Sequence, residues 1–177
     1  VHLDYNPQRE RHIVSCEGEG PKLLMLCGAF HFEYPSYLPL LHRLLDIGHP
    51  PGPKNVRALI LAPTRELIGQ IKDNFEVFTK GTAVKVTMVV GGASLFKQAQ
   101  ALSKGTDVLV ATPGRLIDLL ERGDVKLDQC AYLVLDEADH MLDMGFIHDI
   151  KRVIRLLLDA REDSCKGRGT FVATGAG

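Results

Sequence analysis

Two adjacent carboxylates, Asp136 and Glu137, stand directly after the apolar run Leu133, Val134, Leu135, and a third acid, Asp139, follows across one alanine. Acids in that setting suit a hydrated hard cation. Mg²⁺ takes oxygen ligands and keeps several waters, so Asp136 would hold the metal through water while Glu137 orients or deprotonates an attacking water. For the pair taken alone, a solvated acidic turn closing a strand is the alternative. The full tetrad Asp136, Glu137, Ala138, Asp139 weighs against it.

Such acids reach a ligand only if the chain sets them on an open edge. Residues 132–135 read as a buried strand, and residues 57–62, 84–90 and 108–111 read as three more. Between them, apolar residues recur at helical spacing: Leu67, Ile71, Phe75 and Phe78, then Leu95, Ala99 and Leu102, then Ile147, Ile150, Ile154 and Leu157. This alternation predicts an α/β fold with a doubly wound parallel sheet flanked by helices. The stretch 49–54, with three prolines and a glycine, is a loop separating residues 39–45 from the first of those strands. Parallel strands share one carboxyl edge, so the segments at Pro63, Gly91, Thr112 and Asp136 should emerge together.

Three of those segments open helices or turns with free backbone donors. Thr64 and Arg65, and Thr112, Gly114 and Arg115, suit successive backbone phosphates, because a helix amino terminus attracts anions. Glycine at 91, 92 and 114 would let the main chain approach closely. Each element has a plainer reading as well: Pro63 and Pro113 as turn and helix-start residues, Gly91 and Gly92 as a turn, Arg65 and Arg115 as solvated arginines, Glu66 as a cap.

Taken together and in order, these segments resemble the DEAD-box ATP-dependent RNA helicase family. The tetrad at 136–139 is similar to its motif II; Pro63, Thr64, Arg65, Glu66, Leu67 to motif Ia; Gly91 and Gly92 to its paired glycines; and Thr112, Pro113, Gly114, Arg115, Leu116 to motif Ib. The resemblance is close over residues 57–155 and continues through Asp143, Met144, Gly145 and Phe146, read as prolonging the helix after the tetrad. It implies the family's amino-terminal RecA-like P-loop NTPase domain, with ATP and Mg²⁺ as cofactors. It also implies contact with the backbone of single-stranded RNA through Pro63, Thr64, Arg65, Gly91, Gly92, Thr112, Pro113, Gly114 and Arg115. Gln8, in Asn6, Pro7, Gln8, matches the residue that reads adenine, while Asp139 and Thr174 match positions that couple the ATP and RNA sites.

The chain also departs from that family. A phosphate loop needs a lysine for the β and γ phosphates and a Ser or Thr for magnesium. No Gly-Lys dipeptide occurs anywhere in the sequence. The loop should fall at residues 27–33, where Gly28 keeps a turn glycine but Phe32 stands at the lysine's place and Glu33 at the threonine's. Residues 17–22 carry two glycines and Lys22, yet they precede the strand at 23–26, and their acids repel phosphate. His31 would add at most a weak charge. Losing two or three charge-assisted hydrogen bonds at roughly 1.5–3 kcal/mol each weakens ATP binding by several powers of ten. In motif III, Thr174 is kept and Val172 replaces a serine. The second RecA-like domain that the family uses as a partner is not found in the chain.

Composition agrees with one globular domain over residues 1–177, divided into a degenerate nucleotide-loop region at 1–53 and a well-matched helicase core at 54–177. The chain is 45% hydrophobic and 24% charged, with a formal net charge of -1. A nearly neutral chain binds nucleic acid through a local patch and not through its whole surface. The four cysteines, Cys16, Cys27, Cys130 and Cys165, form no CxxC pair, which gives no support to zinc or a disulfide framework. A monomer in the cytoplasm is the expectation, or in the nucleus of a eukaryote, with no membrane span and no signal-like start. The opening Val1 is what a fragment or processed chain would show.

Overall fold

The computed structural model describes residues 38–164 continuously, together with three strands at residues 2–4, 13–15 and 24–28. Gln8, Phe32, Glu33 and Thr174 lie outside the described residues. In chain order the elements are β1 (His2–Asp4), β2 (Ile13–Ser15), β3 (Leu24–Gly28), α1 (Leu38–Asp46), β4 (Val56–Leu61), α2 (Arg65–Thr79) and β5 (Val86–Val89). They continue with α3 (Leu95–Leu102), β6 (Thr106–Ala111), α4 (Pro113–Glu121), β7 (Tyr132–Asp136), α5 (Ala138–Asp143) and α6 (Ile147–Ser164).

β1 and β2 pair antiparallel by themselves. The other five strands form one sheet in the order β3-β7-β4-β6-β5, and every neighbouring pair is parallel. Parallel strands covered on both faces read as unbroken apolar runs. Accordingly β4 and β6 are buried at all positions. One face packs against α1 and α2 through Leu41, Leu44, Ile68, Ile71 and Phe75; the other packs against α3 to α6 through Leu102, Leu116, Met141, Val153 and Leu157. Each such fully buried Leu, Ile or Phe contributes about 1.5–3 kcal/mol. The RecA-like three-layer architecture expected from the sequence is thus present.

Two local expectations are corrected. The segment after the tetrad does not prolong one helix: α5 ends at Asp143, and Gly145 adopts φ +85. The Gly145 amide donates to the Leu142 carbonyl at 3.0 Å and the Phe146 amide to Met141 at 2.9 Å. That is a Schellman stop, which needs glycine for its left-handed residue. The third expected strand began at 108, whereas β6 begins at Thr106. Its polar start is buried because Asp107 Oδ1 accepts from Arg57 Nη1 at 2.8 Å and its Oδ2 from the Lys85 amide at 2.9 Å. Arg57 Nη2 also donates to His49 Nδ1 at 2.9 Å.

Candidate functional site

The register of the sheet puts all the singled-out segments within the described residues on one edge. Gly28 stands opposite Asp136, and Leu61 lies between Leu135 and Ala111, which in turn neighbours Val89. One residue or two further along come Pro63, Gly91 and Thr112. The strands therefore deliver the acids at one side of the edge and the candidate phosphate segments at the other.

On the phosphate side, Thr64 is extended and caps α2, its Oγ1 accepting from the Leu67 amide at 3.3 Å. Its hydroxyl hydrogen stays available to a ligand. Pro63 and Pro113 are buried; Pro113 opens α4, whereas Pro63 precedes the Thr64 cap of α2. Ser94 caps α3, accepting from the Lys97 amide at 3.4 Å. Thr112 differs: no side-chain cap closes the first turn of α4, and Pro113 sits in that turn. Among α2, α3 and α4, the amino end of α4 is the one left without a side-chain cap, which suits an anion.

Residues 90–94 are clamped from three helices. Gln98 of α3 is buried and grips Val90 twice, Oε1 accepting from its amide at 3.2 Å and Nε2 donating to its carbonyl at 3.0 Å. The guanidinium of Arg65, at the start of α2, lies directly over Gly92 in the space a Cβ would fill. Gly92 has φ +73, a conformation that favours glycine, whereas the flexible end of Arg65 can give way to a Cβ. From α4, Arg115 Nη1 donates to the Ala93 carbonyl at 3.0 Å. Its Nε lies 3.5 Å from Asp118 Oδ2, close enough for ion pairing but without hydrogen-bond geometry. At Gly91 nothing lies where a Cβ would be, and at Gly114 the first neighbour is 4.0 Å away, which leaves the main chain open to a ligand.

The sequence suggested two arginines acting separately on phosphates. Their side chains instead converge on one loop, and Arg115 is mostly enclosed. Arg115 is also ion-paired with Asp118, whose largely exposed side chain makes that pair weak. Gln98 was overlooked because a glutamine on an apolar helical stripe carries no chemical signal. Its partner is a backbone group eight residues away.

On the acid side, Asp136 is fully buried and engaged within the chain. Glu137 adopts a left-handed conformation, φ 50 and ψ 51, rare for a residue with a side chain. Its carboxylate Oε2 meets His140 Nδ1 at 3.1 Å. His140, at the end of the acidic run, was read without a role; its spacing of three from Glu137 on a helical turn was the available signal. Asp139 is exposed. Among the described residues no cluster of three or more metal-capable side chains exists.

Comparisons with known proteins agree with this fold. Residues 36–175 match the family model for DEAD/DEAH box helicases. A probable ATP-dependent RNA helicase ddx3 from Dictyostelium discoideum is 55% identical over 98 residues, which is 55% of this chain and 14% of that protein. The DEAD-box ATP-dependent RNA helicase 52A of Oryza sativa subsp. japonica is 49% identical over 98 residues, 55% of this chain and 16% of the relative. The chain thus spans a small part of the length of these curated relatives. Among solved structures, the yeast DEAD-box splicing factor Prp28 superposes with a TM-score of 0.66 at 35% identity, covering 78% of this chain and 33% of that one. A DEAD box protein from Methanococcus jannaschii gives 0.64 at 31% identity, covering 77% and 36%.

Proposed function

Because the chain belongs to the DEAD/DEAH box helicase family, we propose that it serves an ATP-dependent RNA helicase as the RecA-like module that grips the backbone of single-stranded RNA, with its own ATP binding impaired. The observation that carries this reading is the clamped loop 90–94, where Arg65 and Arg115 meet at the carboxyl edge beside the uncapped start of α4. Backbone amides and guanidinium groups arranged so contact phosphates and ignore base identity. Arg65→Ala and Arg115→Ala should each weaken binding by a similar factor for RNAs of any sequence. Strongly sequence-dependent effects would defeat the proposal.

The nucleotide half is weaker. Asp136 would hold a hydrated magnesium and Glu137 would orient or deprotonate the attacking water. When bound, the metal supplies charge neutralisation at the phosphate oxygens. Asp136 is enclosed, however, so a ligand reaches it only if its cover gives way. With no Gly-Lys dipeptide in the chain, no lysine-bearing phosphate loop is available to repay that opening. The same observation favours a second reading, a catalytically inactive RNA-binding or partner-binding module of this fold. Titration of fluorescent ATP with magnesium separates the two: detectable, weak binding supports the impaired ATPase, no binding the inactive module, and tight binding overturns both.

Unwinding needs a cleft that opens and closes between two domains. A second RecA-like domain is the partner this edge requires, and this chain alone is expected not to unwind duplexes through multiple turnovers.

A further inference from the structure

Phe96 has a place in the fold that packing does not explain. It sits in the first turn of α3, on the same edge as the clamped loop, and is 72% exposed. Leu95, Ala99 and Leu102 form the stripe that turns α3 toward the core. Phe96 is one residue off that stripe, about 100° around the helix. Among the described residues it is the one aromatic side chain in the set of exposed large hydrophobics, and Lys97 beside it is also exposed. Scattered surface aliphatics such as Val77 are ordinary. An exposed aromatic beside a phosphate-binding edge is a different matter, because its face is a platform for a nucleobase.

Position and rigidity both favour that use. Phe96 is four positions along from Gly92, where Arg65 lies, so the two are at most about 14 Å apart along the chain. Ala93, which accepts from Arg115, is closer still. Ser94 caps α3 and Gln98 anchors the same helix to Val90, so the first turn is held relative to the loop at both ends. We propose that Phe96 stacks on a base of the single strand whose phosphates lie along residues 91–92 and 112–115. This rests on the backbone-binding reading above and adds to it a contact with the bases. A π-face stacks on every base, so the contact strengthens binding without imposing a sequence.

The chain contains no tryptophan, which makes Phe96→Trp a specific reporter. Its emission is expected to be quenched by single-stranded RNA and left unchanged by an abasic phosphodiester backbone of the same length. Phe96→Ala and Phe96→Leu should each lower affinity for the RNA about tenfold, leave affinity for the abasic backbone unchanged, and leave the salt dependence as in the parent. Phe96→Tyr should restore binding. Because the side chain is exposed, the melting temperature should not move, which separates lost stacking from lost structure. If the parent binds RNA and Arg115→Ala weakens it while Phe96→Ala does not, the stacking proposal alone falls. Equal losses on RNA and abasic backbone overturn it as well. If the parent shows no salt-dependent RNA binding, the backbone reading fails and the stacking contact fails with it.

Discussion

At the amino end of β4, Arg57 is buried between Asp107 at 2.8 Å and His49 at 2.9 Å, and Asp107 gives its second oxygen to the Lys85 amide. Just beyond the carboxyl end of the same strand, Arg65 lies over a glycine, and Arg115 reaches a loop carbonyl from α4. The first arrangement cancels charge inside the chain, so it serves the fold. The second sets its cations on neutral backbone, with a largely exposed acid, Asp118, beside Arg115, and leaves most of their charge for an anion. Both edges use arginine, and the partner chosen for it distinguishes structure from binding.

Substitutions at Asp107 and Gly92 test that contrast, and a pair at Glu137 tests the strain beside it, taken from the largest effect to the smallest. Asp107→Ala leaves the Arg57 guanidinium buried without its acid and should cost about 3–5 kcal/mol of stability by urea denaturation. The RNA affinity of the folded fraction should not change; a loss below about 1 kcal/mol, the level of a surface pair, would break the comparison. Gly92→Ala should cost about 1–2 kcal/mol through its left-handed backbone and lower RNA affinity about tenfold by displacing Arg65, as read by anisotropy titration. Unchanged affinity would show that the loop does not set the binding geometry. Glu137→Gly relieves a left-handed residue and should raise stability by about 0.5–1 kcal/mol, while Glu137→Gln should leave it unchanged. Equal stability in all three chains would mean that the turn holds no strain.

Much of this was legible in advance because the signals were local. The strand at 57–62 appears as Val56–Leu61, and the acids of 136–139 do close a buried strand. In α2 the face read from Leu67, Ile71, Phe75 and Phe78 is rotated slightly, so that Ile68 is buried and Leu67 only partly so. Periodicity gives the stripe but not its centre, which tertiary packing sets. What stayed hidden were pairings across long separations. Asp107 looks like a strand breaker until Arg57, fifty residues away, is beside it. Gln98 looks like a polar interruption until Val90 is in view. Glycine at 92 was expected to admit a ligand, and the structure adds that it also admits Arg65.

The clamped loop has one mechanical consequence. Arg65 belongs to the helical layer on one face of the sheet, whereas Gln98 and Arg115 belong to the layer on the other. A strand drawn across residues 91–94 would therefore tug on both layers together. Tension on that strand would load one layer through the hydrogen bonds of Gln98 and Arg115 and the other through the Arg65 side chain over Gly92.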